Sequence, residues 1–236
     1  MKYPLADKYQ KFHHLIMGPN PLKLQEELLL NHHLAPGSTV MDLGSGNGLT
    51  SLLLAKEYGF RVYAADLWSE PQQIQAFFAD QGLSADKLTA VHADATALPF
   101  APSFFDAVIS IDSYHYFGCD STYLDSKLLP VIKPGGYLYI AIPGMKKDCH
   151  HNLPPELLLS WTAEELETLH DVPYWQNILS QAQGADIISL QEMVNNQECW
   201  DDWLQCDNEY AIGDRKAMAA GGGKYLNFIA IVLRKK

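Results

Sequence analysis

The sequence has few of the features that mark membrane or secreted proteins. Its 236 residues include no apolar run long enough to span a bilayer. Residues 1–10 alternate polar and apolar side chains and lack the core of a signal peptide. Only four cysteines are present, and none forms a C-x-x-C pair, which favours reduced thiols with packing roles. We therefore predict a cytoplasmic protein with no membrane partner.

Basic residues are also scarce. Lys and Arg total 17 against 28 Asp and Glu, which gives a formal net charge of -11. Nucleic-acid binding draws much of its affinity from neutralising phosphates with Lys and Arg. The sequence shows no basic stripe, so DNA and RNA are poor candidate partners, although composition alone leaves a local basic patch open.

Histidines occur in adjacent pairs at 13–14, 32–33 and 150–151. Adjacent side chains point in different directions on a helix or a strand. No recognised ligand spacing accompanies the pairs. We therefore predict no metal site.

Short apolar strands alternate with amphipathic helices between residues 39 and 143. This alternation predicts a mostly parallel sheet covered by helices on both faces, and the length suits a single α/β domain. The strands predicted in this part are 39–43, 61–66, 88–93, 105–111 and 137–142. Three helices are predicted between these strands. The first is 49–58, the second begins with a Ser69/Gln72 capping box and ends at Gly82, and the third is 121–132.

The pattern changes after Pro143. Residues 145–183 read as a helical cap inserted after the fifth strand, with a Thr162/Glu165 capping box. Strands at 187–194 and 225–233, with a helix at 198–210 before the last one, complete the chain. We thus predict one domain over residues 1–236, with a doubly wound, mostly parallel seven-stranded sheet.

A glycine-rich loop, D-L-G-S-G-N-G at 42–48, ends the first strand and opens a helix. Glycine allows a tight turn there and lets a ligand approach the backbone closely. The helix N-terminus supplies free amide groups and a positive dipole end, which suit a carboxylate or another electron-rich group. The loop is therefore the candidate ligand site.

Two other nucleotide-binding loops fit less well. A dinucleotide fingerprint, G-x-G-x-x-G, would place its third glycine at the position of Leu49. Here glycine comes one residue earlier, at Gly48, and Asp42 precedes the first glycine by two positions. A Walker loop is excluded because no G-K-[ST] follows.

The loop resembles motif I of class I S-adenosylmethionine-dependent methyltransferases. Further motifs follow in the family's order: Asp66 at the end of the second strand, 92–95 after the third, 105–110 in the fourth and 129–136 before the fifth. The resemblance covers residues 36–143. It is nearest to the small-molecule "type 11" group, which includes ubiquinone and menaquinone biosynthesis methyltransferases.

The resemblance implies S-adenosyl-L-methionine as cofactor and a small molecule as methyl acceptor. It places Asp66 on the ribose and Asp94 near the adenine, although a generic strand-end acid and a turn residue are the rival roles. It also implies that the N-terminal segment 1–35 folds over the cofactor, although a turn followed by an outer helix is the alternative. Residues 145–183 are expected to cap the substrate. The cofactor contacts it implies are Asp42, Gly44, Ser45, Gly46, Gly48, Asp66, Leu67, Asp94, Ala95 and Asp112.

The loop after the fourth strand, 112–118, is expected to face the transferred methyl group, because ligands of open α/β sheets lie beyond the carboxyl ends of the strands. His115 is the candidate catalytic base, since its ordinary pKa is near neutrality. An equally open alternative is that His115 orients the cofactor or packs beneath the cap.

A run of acidic residues accompanies the late tryptophans. It forms either a solvated face or a pocket for an amine-bearing acceptor that uses aromatic faces and negative charge. Its members are Glu198, Asp201, Asp202, Asp207 and Glu209.

Other functions stay open at this point. A protein or RNA methyltransferase, or a cofactor-binding regulatory module without turnover, fits the same loop, and an NAD-dependent oxidoreductase is a more distant alternative. Fold alone does not determine function. The sequence does not determine the acceptor or the atom that is methylated, and it leaves a homodimer possible.

Overall fold

Seven strands form one sheet in the computed structural model, which describes residues 3–236. Their order is β3-β2-β1-β4-β5-β7-β6; β1 to β5 are parallel and β7 runs antiparallel to both of its neighbours. This confirms the predicted mostly parallel seven-stranded sheet. The strands are β1 Thr39–Leu43, β2 Arg61–Asp66, β3 Leu88–His92, β4 Phe105–Ile111, β5 Ile132–Met145, β6 Ala185–Glu192 and β7 Leu226–Lys235.

Helices connect the strands and cover the sheet. Two precede β1, one follows each of β1 and β2, two lie between β5 and β6, and two between β6 and β7. They are α1 Pro4–Asp7, α2 Pro21–Leu28, α3 Leu49–Glu57, α4 Pro71–Asp80, α5 Ala163–Leu166, α6 Val172–Leu179, α7 Asn196–Trp203 and α8 Glu209–Ala219.

The central strands are buried because apolar layers cover both of their faces. Successive residues of a strand point to opposite faces. Val40 and Ile109 accordingly belong to one hydrophobic cluster, and Met41 and Val108 belong to the other. A strand with two covered faces must be apolar nearly throughout, which explains the sequence of β4.

The sheet order places a crevice at the carboxyl end of β1. This strand pairs with β2 on one side and with β4 on the other, so the connections leave it in opposite directions. Ligands of open α/β sheets bind at such a switch point. The glycine-rich loop and the loop after β4 meet there.

Three predicted elements differ from the structure. Glu70, not Ser69, is the N-cap of α4 and makes no side-chain cap; the Ser69 hydroxyl instead donates to the Gly46 carbonyl at 2.7 Å. The predicted helix 121–132 is only a π-helical turn, Leu124–Leu128, and a 3-10 turn. Pro130 explains its end, because proline lacks the N–H that an α-helix needs.

The predicted helix 198–210 is two helices, α7 and α8. The Asn208 side chain accepts the Tyr210 N–H at 2.9 Å and begins α8, since asparagine is favoured at an N-cap. The Thr162/Glu165 capping box is confirmed, with the Glu165 N–H donating to Thr162 Oγ1 at 3.2 Å.

Within residues 3–236, none of the helices combines the length and apolar character needed to cross a membrane.

Candidate active site

A cavity of about 670 Å³ opens at the carboxyl ends of the first four strands. This volume lies in the range of sites for small molecules and cofactors. Five stretches of chain dominate its walls: the segment before α2, the glycine-rich loop with the start of α3, and the three loops that follow β2, β3 and β4. The lining residues that the sequence implied are Gly44, Ser45, Gly46, Asp66, Leu67, Asp94, Ala95 and Asp112.

The glycine-rich loop turns sharply beneath the cavity. Gly44 and Gly46 have φ values of +78° and +51°, a region that glycine adopts without steric cost. A side chain on Gly44 would also collide with Ser113 in the loop after β4. Beyond the loop, α3 begins at Leu49 with Gly48 as N-cap, and its first amide groups have no intrahelical acceptor. Together these features fit an anionic ligand group.

Gly48, an implied cofactor contact, does not line the cavity. It has φ +80°, and a Cβ atom there would lie 2.6 Å from Cε1 of Phe78 in α4. This glycine therefore allows α4 to pack closely on the loop and affects the ligand only through that packing.

Asp42 also lies away from the cavity, beneath the loop, and is fully buried. Its Oδ2 accepts the Thr50 hydroxyl at 2.7 Å and the Ser51 hydroxyl at 2.5 Å. Burial raises the pKa of Asp42 to about 6, although the two hydroxyls act in the opposite direction. These hydrogen bonds fix the loop to the start of α3, and the implied cofactor contact of Asp42 stays a prediction.

Asp66 ends β2 at the cavity wall and holds the neighbouring loops in place. Its Oδ2 accepts the Gly46 N–H at 2.9 Å, and its Oδ1 accepts the N–H groups of Trp68 and Ser69 at 2.9 and 2.8 Å. A carboxylate offers about four acceptor positions. One position is therefore left for a ligand hydroxyl, as the implied ribose contact requires.

Asp94 is exposed at the cavity edge and shapes its own turn. Its Oδ1 accepts both the N–H and the hydroxyl of Thr96 at 2.7 Å, and these bonds lower its pKa. Asp94 can therefore hold its own turn and face a ligand at the same time. Ala95 and Thr96 line the cavity beside it.

Asp112 follows β4 with φ +56°, a backbone conformation uncommon outside glycine. Its carboxylate lies under the segment before α2, so close that a Cβ on Gly18 would be 2.5 Å from Oδ2. Burial, with a smaller contribution from the charge of Asp214, raises the pKa of Asp112 to about 7. Asp112 is therefore a cavity carboxylate that changes charge near neutral pH.

His115 is poorly placed for the predicted role of catalytic base. The side chain is 3% exposed and does not line the cavity. Burial lowers its pKa to about 3, and Nδ1 has no hydrogen-bond partner among the described residues. The neighbouring Tyr116 lines the cavity instead. The geometry therefore supports the alternative packing role, and a part in proton transfer stays an unsupported prediction.

The N-terminal segment forms one wall of the cavity through Leu15, Ile16, Met17, Gly18 and Pro21. The Asn47 amide of the glycine-rich loop donates to the Leu15 carbonyl at 2.9 Å, which ties the segment to the loop. No residue of 145–183 lines this cavity. The role of that segment as substrate cap therefore stays a prediction.

The acidic residues of the late helices lie outside the cavity walls. Asp202 accepts from Asn20 Nδ2 at 2.7 Å and pairs with Lys23 Nζ at 2.7 Å. Asp201, Asp207 and Glu209 are exposed. None of these residues lines the cavity, so the geometry favours the solvated face, and the pocket for an amine-bearing acceptor stays an unsupported prediction.

Sequence reasoning missed several apolar and hydroxyl-bearing residues of the cavity. Trp68 is 87% exposed although it lines the cavity, and Thr96 and Phe117 also contribute. Their position in the sequence could have identified them, because each of these residues follows the end of a strand by a few positions. Their chemical types alone do not distinguish cavity residues from core or surface residues.

The sheet order, the glycine-rich loop and the acidic ends of the neighbouring loops define the Rossmann-like fold of class I methyltransferases. Residues 41–140 match the model of a family described as "Methyltransferase domain". A solved structure from Haemonchus contortus, phosphoethanolamine N-methyltransferase 2 in complex with S-adenosyl-L-methionine, shares the fold. Its TM-score is 0.76 at 18% identity, covering 98% of this chain and 56% of that chain.

Two curated relatives are similar to part of this chain. A 2-methyl-6-phytyl-1,4-hydroquinone methyltransferase of Synechocystis is 39% identical over 46% of this chain and 33% of its own length. A probable chloroplastic tocopherol O-methyltransferase of Oryza sativa is 32% identical over 66% of this chain and 42% of its own length. The chain thus spans less than half of either relative. Residues 41–140 are therefore similar to this methyltransferase domain family.

Proposed function

We propose that the protein transfers a methyl group from S-adenosylmethionine to a small-molecule acceptor. The observation that carries the proposal is the cavity itself. It joins the glycine-rich loop, the start of α3, and carboxylates after β2, β3 and β4 in one space at the switch point of the sheet. The relatives named above methylate hydroquinones and tocopherol, which supports a small acceptor.

The chain's residues fit the cofactor as follows. The backbone of the glycine-rich loop and the amide groups at Leu49 and Thr50 face the cavity and suit the cofactor's carboxylate. Asp66 keeps an acceptor position for a ribose hydroxyl, and Ala95 and Leu67 provide apolar surface for the base. When bound, S-adenosylmethionine supplies an electrophilic methyl group on sulfur, and the protein's part is to bind, orient and exclude water.

Asp112 is the residue of the loop 112–118 that we propose for proton transfer. It lines the cavity, and its pKa of about 7 suits a general base at neutral pH. A base matters only if the acceptor must lose a proton to become nucleophilic, as a phenol does. Asp112 also stays a proposed cofactor contact.

Binding calorimetry tests the proposal. We expect S-adenosylmethionine and S-adenosylhomocysteine to bind at micromolar concentrations and NAD not to bind. Asp66→Ala removes a charged hydrogen-bond acceptor, a loss of about 1.5–3 kcal/mol that weakens binding at least about tenfold. Asp80→Ala, at an exposed aspartate at the end of α4, is the matched control and retains wild-type affinity.

Preferential NAD binding, or no binding of the sulfur nucleotides, contradicts the proposal. Binding without methyl transfer across a screen of phenolic and amine acceptors supports the regulatory module instead. A cytoplasmic location, the absence of nucleic-acid partners and a homodimer stay predictions, which fractionation, a gel-shift assay and sedimentation would check.

A further inference from the structure

A second group of chemically active side chains lies outside the cavity, where the chain leaves β5. It consists of Asp148, His150 and His170. His150 Nδ1 lies 2.8 Å from Asp148 Oδ1, and His170 Nδ1 lies 3.2 Å from Asp148 Oδ2. One ligand atom from each residue lies within 4.8 Å of the other two, which is close enough for the three residues to hold one metal ion.

The backbone holds these residues in place. The Met145 N–H donates to the His170 carbonyl at 3.1 Å, which fixes His170 to the end of β5. A Cβ atom on Gly144 would lie 2.5 Å from the same carbonyl oxygen, so glycine is required for this approach. The Asp148 N–H donates to Asp171 Oδ2 at 3.1 Å. The donors are therefore arranged before any ligand arrives.

The hydrogen bonds of His150 determine which of its nitrogens carries a proton. Nε2 lies 2.9 Å from the Leu166 carbonyl oxygen, which only accepts hydrogen bonds, so Nε2 must carry a hydrogen. In the neutral ring, Nδ1 then has a lone pair directed at a carboxylate oxygen 2.8 Å away. Two lone pairs at this distance repel each other. A cation, either a proton or a metal ion, must therefore lie between them.

The second imidazole adds a third potential ligand. His170 Nδ1 either donates a hydrogen to Asp148 Oδ2 or, in the Nε2–H tautomer, offers a second nitrogen lone pair beside the same carboxylate. Two imidazoles and one carboxylate are typical ligands of zinc and similar ions, while Mg²⁺ and Ca²⁺ prefer oxygen alone. A backbone carbonyl on the far nitrogen is the usual outer partner of a metal-bound histidine, and the Leu166 carbonyl meets this condition.

We propose that Asp148, His150 and His170 bind one divalent transition-metal ion of the zinc type, with water completing the coordination. The ion would join the start of α6 to the end of β5. The ring of His170 stacks on Tyr174 of α6 with centroids 3.4 Å apart. Sequence analysis predicted no metal because His170 is distant in sequence from His150 and only the fold brings the two together.

Metal titration tests the proposal. Protein freed of metal with a chelator is titrated with Co²⁺, followed by visible absorption, and with Zn²⁺, followed by calorimetry. We expect one ion per chain and no saturable binding of Mg²⁺. His150→Ala and His170→Ala each remove a ligand and should weaken binding at least about 100-fold, since losing even an outer partner costs about 10- to 100-fold.

His151→Ala is the matched control, because it removes an exposed histidine adjacent to the site and should bind as the wild type does. Asp148→Asn keeps the size of the side chain and should also weaken binding. Circular dichroism establishes that each variant is folded. Zn²⁺ should raise the melting temperature of the wild type and of His151→Ala, but not that of His170→Ala.

The proposal is overturned if folded wild-type protein binds neither ion, or if His150→Ala and His170→Ala bind as tightly as His151→Ala. A proton then occupies the position between His150 and Asp148. S-adenosylhomocysteine calorimetry on the same preparations keeps the two proposals distinguishable, because cofactor binding does not require this metal.

Discussion

Asp112 combines contact with the cavity, a positive φ and a pKa near neutrality. Because burial and Asp214 disfavour the charged form, the carboxylate is protonated below about pH 7 and cannot accept a proton there. Methyl transfer to an acceptor that must lose a proton should therefore rise with pH through about 7.

We expect Asp112→Asn to abolish this rise and to lower the maximal rate by about 10²- to 10⁴-fold, the usual contribution of a general base. Initial rates measured from pH 5.5 to 8.5 at saturating cofactor check this. His115→Gln is the control and should keep the acid limb. A variant Asp112→Asn with the same pH profile as the wild type would exclude Asp112 as the base.

Gly48 and Gly82 allow the cost of backbone strain to be measured separately from the cost of crowding. Their φ values are nearly equal, +80° and +79°, so alanine is equally strained at both positions. Alanine at either position carries the cost of the left-handed conformation, about 1–2 kcal/mol. A Cβ at Gly48 also lies 2.6 Å from Phe78, whereas one at Gly82 has nothing within 4 Å.

We therefore expect Gly48→Ala to reduce the free energy of unfolding by about 1–3 kcal/mol more than Gly82→Ala does, the usual range for overpacking. Urea denaturation of both variants measures this difference. Equal losses would mean that α4 moves away from the loop without cost.

At the scale of elements, the N-cap of α2 links the cavity wall to a distant helix. Asn20 Oδ1 accepts the N–H groups of Leu22 and Lys23 at 3.0 and 3.3 Å, while Nδ2 donates to Asp202 of α7 at 2.7 Å. Asn208 provides a comparison, because its side chain accepts the Tyr210 N–H at the start of α8.

We expect Asn208→Ala to cost about 1 kcal/mol, the usual value of an N-cap. Asn20→Ala should cost about 2–3 kcal/mol, because it also leaves the partly buried Asp202 with one donor fewer. Denaturation gives both values. Hydrogen exchange at residues 15–18 should be faster in Asn20→Ala alone; unchanged exchange would show that the segment is held by other contacts.

For the whole molecule, two buried groups make the stability respond to pH in opposite directions. Asp42 has a raised pKa of about 6, so between about pH 4 and 6 only the unfolded chain loses this proton, and stability falls as pH rises. His115 has a lowered pKa of about 3, so below about pH 6.5 only the unfolded chain gains a proton, and stability falls as pH drops. The two effects offset each other.

Single variants should separate them. Relative to Asp42→Asn, the wild type should lose up to about 3 kcal/mol of its free energy of unfolding as the pH rises from 4 to 6. Relative to His115→Gln, it should gain about 1.4 kcal/mol per pH unit over the same interval. Urea denaturation at several pH values measures both slopes. Slopes of the same sign would show that one of the two groups is hydrated in the folded protein.

The sequence predicted most of the cofactor side of the site. Strand ends are marked by apolar runs, and the loops that follow them meet at one edge of a parallel sheet, so Gly44, Asp66 and Ala95 could be placed at the cavity before any coordinates. Asp42 and Gly48 were expected as contacts but do not line the cavity. The spacing of Asp42 and Gly48 places both residues at the loop, but only the packing shows whether a residue faces the cavity or the core.

The sequence by itself determined the class of fold, the glycine-rich loop and the resemblance to a methyltransferase family, because periodicity and local spacing depend on residues close together in the chain. Only the tertiary structure decided that His115 is buried, that Asp112 faces the cavity and that His150 and His170 share one carboxylate. Burial, electrostatic shifts and ligand convergence depend on residues distant in sequence, which a linear pattern does not contain.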